Sequence, residues 1–569
     1  MKTAYVLLVL APLPLLPTPA RGQNAPHELR GVVFSVEDGQ ADRKYLPNVL
    51  VTVIEFGASG STNDQGGFRL RLPAGVLPGQ DLTLQEDQKD YYILLPVLSK
   101  LRVPATPEQV IDVAMAPKGS KVLLGANFIE QFIAHTADDS AKKPKDPQGG
   151  APDLAAYVNE LARQSGRPAE EILGEIGRWA AETKESDDPR KLGLAAFAEK
   201  RFRLAAEHFG RAADAEKRRG AEGFRTSAAD RTLAGDSYSN ALDFATALRT
   251  YQAALDDLNV YRQGRDDLGL PAYPEYASDV RDLAFKIANV KSNLGDQVAG
   301  PDSQRYLEEA VQEYRRQIVL IPKISNPQRW AMTQNGLGTA LARLGERQGG
   351  AEGARRLAEA VEAHRLALAV YTRDHLPQQW AMTQNGLGTA LARLGERQGG
   401  AEGARRLAEA AEAYRQALAV YTRDHLPQDW AMTQNNLGNT LQIQIRLDGF
   451  PKGRQQIDRL SHAEGIRDDP VAQASLRTLA LVCQVAMDQN AEASRAFASL
   501  VALIERQPDD FHLVWDWTPL RQLLAESKVP TLPARRESLK KLIDAVSRDN
   551  KAAILAGLEE AQGAFTGRE

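Results

Sequence analysis

The sequence predicts a mainly α fold, an α-solenoid of antiparallel helical hairpins preceded by a small all-β sandwich. The 31 residues from Trp330 to Ala360 recur letter for letter from Trp380 to Ala410, and a diverging third copy begins at Trp430. Within each copy, apolar residues recur every three or four positions, which is the spacing of one helix face. Residues 28–117 contain short runs rich in Val, Ile, Leu and Phe separated by turn residues, which is typical of strands.

The N-terminus, MKTAYVLLVLAPLPLLPTPARGQ, has a lysine, an apolar run and small residues before an expected cleavage point. This pattern predicts a secretory signal peptide over residues 1–22. An uncleaved membrane anchor is disfavoured because the run is short and interrupted by Pro12, Pro14 and Pro17. No later stretch of the sequence reaches the about 18 apolar residues that cross a bilayer. We therefore expect an exported chain, periplasmic or secreted, without a membrane span.

Residues 28–117 follow as the β-sandwich. The stretches GVVFSVEDG, LPNVLVTV and STNDQGGFRLRLPAG resemble the carboxypeptidase-regulatory-like, transthyretin-like sandwich family. That resemblance implies an accessory fold and no peptidase activity. Asn63 and Asp64 stand in the hairpin, where turn formation explains them better than calcium binding.

Residues 118–152 are rich in charge, Pro and Gly, and we expect a linker there. Strand patterns then cease, and residues 153–530 are predicted to form the helical array. Within one unit, Gly349 and Gly350 separate two amphipathic helices, and the stretch from Asp374 to Pro377 is expected to end the second helix in a turn. Residues 531–569 are expected to add C-terminal helices that cap the open end.

Glycine within a helix costs about 1 kcal/mol relative to alanine, so a persistent helical glycine needs a packing reason. Gly338, Gly388 and Gly438 occur in all three copies, which predicts close approach of a partner helix, whereas Gly336 is replaced by Asn436. A small residue followed by alanine, an aromatic and alanine is the pattern of tetratricopeptide (TPR) repeats, and residues of the array resemble that family. The same pattern occurs upstream, beginning at Gly193, Gly235 and Gly295.

The sequence gives little support to an enzyme. Its eight histidines form no HExxH motif, and neither GxxxxGK[ST] nor GxSxG occurs. The only cysteine, Cys483, lies in an apolar helical run and is expected to be buried and inert. A net charge of −4 and a pI near 6.2 disfavour nucleic-acid binding. We expect no catalytic residues, no metal and no cofactor.

In TPR proteins the first helix of each hairpin lines the concave groove. The resemblance therefore implies a protein-binding groove whose asparagines bond an extended backbone and whose arginines bind carboxylates. The positions carried over are Met332, Asn335, Thr339, Arg343, Met382, Asn385, Thr389, Arg393, Met432, Asn435 and Asn439.

The function predicted from these observations is an exported, non-enzymatic scaffold that binds an unidentified protein or extended peptide in the concave groove. One alternative is an envelope- or carbohydrate-binding protein that uses the β-sandwich, although the sandwich contains no tryptophan. Another is a regulatory partner of an enzyme encoded nearby. The sequence leaves the partner and the oligomeric state open.

Overall fold

The computed structural model describes residues 28–37, 43–74, 76–120, 124–143, 154–217, 221–526 and 532–562. The predicted signal peptide lies outside these residues. The fold class predicted from the sequence is confirmed, because two small β-sheets precede a long array of paired helices. No helix in the described ranges is long and apolar enough to cross a membrane.

The N-terminal part consists of two sheets that enclose an apolar core. β1 pairs antiparallel with β2 and β5 along one edge and parallel with β9 along the other, and β7 extends this sheet beyond β9. The second sheet has the order β4-β3-β6-β8. The strands are β1 (Glu28–Ser35), β2 (Lys44–Tyr45), β3 (Leu50–Val53), β4 (Ala58–Ser61), β5 (Gly67–Arg71), β6 (Asp81–Glu86), β7 (Tyr91–Leu95), β8 (Lys100–Arg102) and β9 (Val110–Pro117).

Alternating apolar residues build the interior of this sandwich. Leu29 and Val33 of β1, Val51 and Val53 of β3 and Val113 of β9 are fully or almost fully buried in one cluster. Successive side chains of a strand point to opposite faces, so the alternation turns one face of each sheet inward.

The predicted linker contains a buried helix, α1 (Ala126–Lys142). Phe128, Ile129, Phe132 and Ile133 form its apolar face, which packs in one cluster with Phe34 of the sandwich and with helices of the array. Its charged residues Asp138 and Lys142 pair with each other and with residues of the sandwich and of the array. The expectation of a linker over 118–152 is therefore corrected for this helix, and residues 121–123 and 144–153 lie outside the described part.

The array begins with α2 and continues to α17, and consecutive helices pack as hairpins. These helices are α2 (Leu154–Ser165), α3 (Ala169–Thr183), α4 (Pro189–Ala198), α5 (Phe202–Lys217), α6 (Ala221–Asn240), α7 (Phe244–Asp267), α8 (Tyr276–Gln297), α9 (Pro301–Leu320), α10 (Pro327–Arg347), α11 (Gly350–Leu368), α12 (Pro377–Gln398), α13 (Gly400–Leu418), α14 (Pro427–Asp448), α15 (Phe450–Ser461), α16 (Pro470–Ala486) and α17 (Asn490–Glu505). The repeated unit thus corresponds to α10–α11 and again to α12–α13.

The helical glycines mark the close approaches that the sequence predicted. A Cβ added at Gly338 would lie 2.7 Å from the His364 ring, and one at Gly388 would lie 2.8 Å from the Tyr414 ring. At Gly438 the neighbouring ring is that of Trp515, which lies in a non-helical segment. The second helix of this copy, α15, is short, and this segment takes the place of its missing turns. The first helix of each copy therefore approaches an aromatic or imidazole ring too closely for any side chain.

The C-terminal residues close the array. They form α18 (Thr518–Glu526), α19 (Leu532–Val546) and α20 (Lys551–Ala561). Leu542 and Ile543 of α19 and Leu558 of α20 join the apolar core that runs back through α16 and the repeated units. This arrangement fits the predicted capping helices, of which residues 531 and 563–569 lie outside the described part.

Candidate functional site

A channel of about 480 Å³ runs along the first helices of the repeated units. One wall consists of side chains from α10, α12 and α14. The opposite wall consists of residues of α1 and α2, including Lys143 at the end of α1 and Tyr157 of α2. The turn after α13 adds Tyr421 and His425. Helices α1 and α2 thus convert the open groove of the array into a partly enclosed channel.

The structure brings most of the predicted groove residues together in this channel. Those that line it are Asn335, Thr339, Arg343, Met382, Asn385, Thr389, Arg393 and Met432. Met332 lines a smaller neighbouring cavity, which shares Met382 with the channel. The predicted positions agree with the channel lining because residues three, four, seven or eight positions apart in a helix lie on one face.

In the first copy, other residues of the array form hydrogen bonds with the polar side chains of the predicted groove. Asn335 is buried, and its Oδ1 accepts a hydrogen bond of 3.0 Å from Nδ1 of His364. Burial lowers the pKa of His364 to about 4, so the imidazole is neutral at pH 7. Arg343 donates to Asn293 Oδ1 at 2.7 Å and to Ser292 Oγ at 3.1 Å. These two predicted ligand-binding residues therefore have structural partners.

In the second copy, the polar groups are more accessible. Within the described part of the chain, the Oδ1 of Asn385 accepts a single long bond, 3.3 Å, from Thr433 Oγ1 of α14. Thr389 accepts a bond of 3.1 Å from Tyr414 Oη. Arg393 bonds Glu346 Oε1 at 2.8 Å while half of its side chain stays exposed. Identical sequence therefore produces different surroundings, and α12 presents the most available groups.

In the third copy, the chain covers its own groove positions. The segment 511–517 has no regular secondary structure and crosses α14. The Asp516 backbone N–H donates to Asn435 Oδ1 at 2.7 Å, and Gln442 donates to Asp516 O at 2.8 Å. Gln442 Oε1 in turn accepts from the backbone N–H of Leu520 at 2.9 Å.

Two predicted positions of the third copy consequently lie outside the channel lining, as does Met332 of the first. Asn435 binds the covering segment, and Asn439 Oδ1 is buried without a hydrogen-bond partner among the described residues. The expectation that both face a ligand is corrected, because the last repeat of an array is covered by whatever closes the core. Asn436, which is not one of the predicted positions, lines the channel instead.

The second wall was not predicted. Tyr157 Oη donates to Asp139 Oδ2 at 2.8 Å, and Lys143 Nζ contacts the same carboxylate at 3.2 Å. Although burial opposes ionisation, Lys143 keeps the pKa of Asp139 well below its usual range. The only available signal was the helical spacing of Phe128, Ile129, Phe132 and Ile133, which the charged residues around it obscured.

The repeated tryptophans belong to the core. Trp430 is almost fully buried, and its Nε1 donates to Asp469 Oδ2 at 2.5 Å. Trp330 and Trp380 pack partly buried around Ala331, Ala367 and Leu376.

The described residues contain no group of three or more His, Cys, Asp or Glu side chains arranged to hold a metal ion. Cys483 is buried as predicted, and burial raises the pKa of its thiol to about 12. At neutral pH this cysteine is a protonated, inaccessible thiol, which is a poor nucleophile.

No protein-family model matches the chain, and no curated protein matches it. Solved structures with some similarity include an assembly chaperone of RpL4, which is 17% identical, covers 55% of this chain and 99% of its own, and has a TM-score of 0.30. The apo quorum sensor NprR from B. thuringiensis is 14% identical over 66% of this chain and 94% of its own, with a TM-score of 0.27. A Rap protein complexed with competence and sporulation factor is 12% identical over 78% of this chain and 100% of its own, with a TM-score of 0.26. Similarity at this level assigns no function.

Proposed function

We propose that this protein is a non-enzymatic scaffold that binds an extended segment of a partner protein in the channel between α1–α2 and the first helices of the repeats. The observation that carries the proposal is the channel of about 480 Å³, lined by equivalent Asn, Thr, Arg and Met side chains of successive units. Methionine adapts to different apolar side chains, and asparagine bonds both the N–H and C=O of a backbone. Such a lining suits an extended peptide.

The third copy supplies an internal example of this chemistry. Asn435 holds the backbone of Asp516 in a segment without regular secondary structure. Asn385 occupies the equivalent position of α12 and lines the channel, where a ligand backbone is able to take the place of the covering segment. We therefore expect Asn385 to bind an irregular or extended ligand backbone in the way that Asn435, its equivalent in the third copy, binds the backbone of Asp516.

The proposal is tested with peptides selected from a random display library on the full mature chain. The affinity of a selected peptide is then measured by fluorescence polarisation for the wild-type protein and for Asn385→Ala. Loss of a hydrogen bond to a buried backbone group costs about 1–3 kcal/mol, so we expect binding to weaken about fivefold or more. Asn127→Ala changes an exposed asparagine of α1 outside the channel and is the matched control.

Two results would overturn the proposal. One is a selection that yields no peptide with affinity above that of scrambled sequences. The other is an unchanged affinity in both Asn385→Ala and Met432→Ala, since both side chains line the channel. Circular dichroism spectra of each variant establish that the helices remain folded.

We also propose that the chain is exported and acts in the periplasm or outside the cell. The support is the N-terminal pattern of residues 1–22, a charged start followed by a short apolar run and small residues. N-terminal sequencing of the protein recovered from envelope and medium fractions tests this proposal. A mature protein that begins at Met1 would contradict it.

For the sandwich we propose membership of the carboxypeptidase-regulatory-like family and a supporting role. The sandwich docks on the array, because Gln80 Nε2 donates to Ser325 O at 2.8 Å and Arg102 binds Asp282 at 3.0 Å. A docked sandwich that helps to position α1 fits an accessory role. Binding of glycan or envelope preparations by the full chain, abolished by substitutions at exposed Tyr45 and Val110, would instead favour the carbohydrate-binding alternative.

A further inference from the structure

A second cavity, of about 120 Å³, lies where the sandwich, α1 and the array meet. It is lined by Lys100 of β8, His135 of α1, Arg281 of α8 and Arg329 of α10, together with several aspartates. One water molecule needs about 10–15 Å³ of such space, so the cavity holds a small ligand or several waters. It adjoins the peptide channel and shares Lys143, Gln379 and Met382 with it, but Lys100 and Arg281 line only this cavity.

Most charges around the cavity neutralise one another. Buried ions are stable only with partners, and the basic groups here stand mostly opposite a carboxylate. The pairs are Lys142 with Asp138 at 2.7 Å, Lys143 with Asp139 at 3.2 Å and Arg329 with Asp282 at 2.6 Å.

Two cations are exceptions. The guanidinium of Arg281 makes no hydrogen bond or ion pair with any described residue, and its Nε is buried. Burial, and then the nearby Arg329, lower the pKa of Arg281, and the charge of Asp282 offsets only part of this effect. Lys100 Nζ donates to Thr83 Oγ1 at 2.7 Å and forms no direct ion pair with a described carboxylate, although its charge lowers the pKa values of Glu55 and Asp139 against the effect of their burial.

The imidazole of His135 completes the lining. It has no hydrogen-bond partner among the described residues, and burial lowers its pKa. A neutral imidazole carries one N–H donor. The cavity thus combines a guanidinium and an ammonium that form no direct ion pair among the described residues with a further N–H donor.

We propose that this junction cavity binds a small oxyanion, a free carboxylate or phosphate, held by Arg281 and Lys100. A guanidinium binds either group through two parallel hydrogen bonds, and such charge-assisted bonds are the strongest polar contacts in proteins. A bound oxyanion neutralises the two unpaired cations at the place where the sandwich and α1 join the array. It therefore stabilises the folded junction, and it does so whether or not a peptide occupies the channel.

The experiment uses the full mature chain and measures its melting temperature during titration with sodium phosphate, acetate or succinate. Sodium chloride keeps the ionic strength constant. We expect a saturable rise in melting temperature with at least one oxyanion, because a ligand that binds only the folded state stabilises it. The phosphate and carboxylate arms show which oxyanion the site prefers.

Arg281→Gln and Lys100→Gln are the informative variants. Each removes a charged donor, and we expect the apparent affinity for the preferred oxyanion to fall about tenfold or more. Without ligand, Arg281→Gln should melt at the same or a higher temperature than the wild type, since an unpaired cation has been removed. Arg249→Gln, an exposed arginine of α7 that bonds only Thr246, is the matched control.

Three outcomes would overturn the proposal. The first is the absence of any saturable shift beyond that of chloride, which would mean that water fills the cavity. The second is an oxyanion affinity that survives in both Arg281→Gln and Lys100→Gln. The third is a control variant that loses the shift as strongly as they do. None of these outcomes affects the peptide-binding test, because Asn385 does not line this cavity.

Discussion

Substitution of Gly388 by alanine tests the packing of the repeats with the smallest possible change. The added Cβ would lie 2.8 Å from Tyr414 Cε1 and 2.9 Å from Cδ1 and Cζ. The ring of Tyr414 is 2% exposed and its hydroxyl is bonded to Thr389, so it has little room to move. Overpacking of this kind costs about 1–3 kcal/mol.

The same substitution at an exposed helical position has the opposite sign. Gly177 lies within α3, is exposed, and a Cβ added there would meet no atom within 4 Å. Alanine should stabilise that helix by about 1 kcal/mol. At Gly388 this gain is outweighed, and we expect a net loss of about 1 kcal/mol and a difference of about 2 kcal/mol between the two variants.

The assay is urea unfolding of the full chain followed by far-ultraviolet circular dichroism. Hydrogen exchange of α12 and α13 localises the effect, since repeat arrays need not unfold in one step. Equal stabilisation by Gly388→Ala and Gly177→Ala would refute the reasoning. It would mean that the Tyr414 ring does not lie against α12 as described.

Three further predictions concern buried groups. His364 has a pKa of about 4 in the folded chain and an ordinary pKa near 6.5 in the unfolded chain, so the free energy of unfolding should fall as the pH is lowered from 6.5 to 4. His364→Tyr introduces the residue of the next copy, and it should flatten this dependence when melting is measured as a function of pH. Arg167 and Glu175 form a buried pair at 2.6 Å, and Arg167→Met should cost about 3–5 kcal/mol in urea unfolding, much of which Glu175→Gln should restore; no loss in the single variant would contradict the pairing. Cys483, whose thiol pKa is raised to about 12, should react with a thiol reagent at pH 8 only after denaturation, and rapid labelling of the native chain would contradict its burial.

The register of the groove could be read from the sequence because it depends on local geometry. A helix repeats every 3.6 residues, so residues such as Asn385, Thr389 and Arg393 share a face wherever the helix is placed. The exact duplication then defined which helices stack side by side. The close approach at Gly388 was predictable as well, because glycine occurs at the equivalent position of all three copies.

Other features depended on contacts between residues far apart in the chain. Gly336 looked tolerant because Asn436 replaces it, yet a Cβ at Gly336 would lie 2.8 Å from the Tyr314 ring. Asn435 looked like a ligand-binding residue, but Asp516, which approaches from beyond α17, accounts for it. No local pattern states which distant segment will cover a given helix face.

The sequence alone determined the elements that follow from periodicity, namely the small sandwich, the paired helices and the face of each first helix. The tertiary structure decided what that face meets: His364 in the first copy, a channel in the second and the chain's own segment in the third. It also placed α1 against the array and left Arg281 Nε buried without a hydrogen bond among the described residues. Helix periodicity is a property of neighbouring residues, whereas burial and charge pairing depend on the whole folded chain.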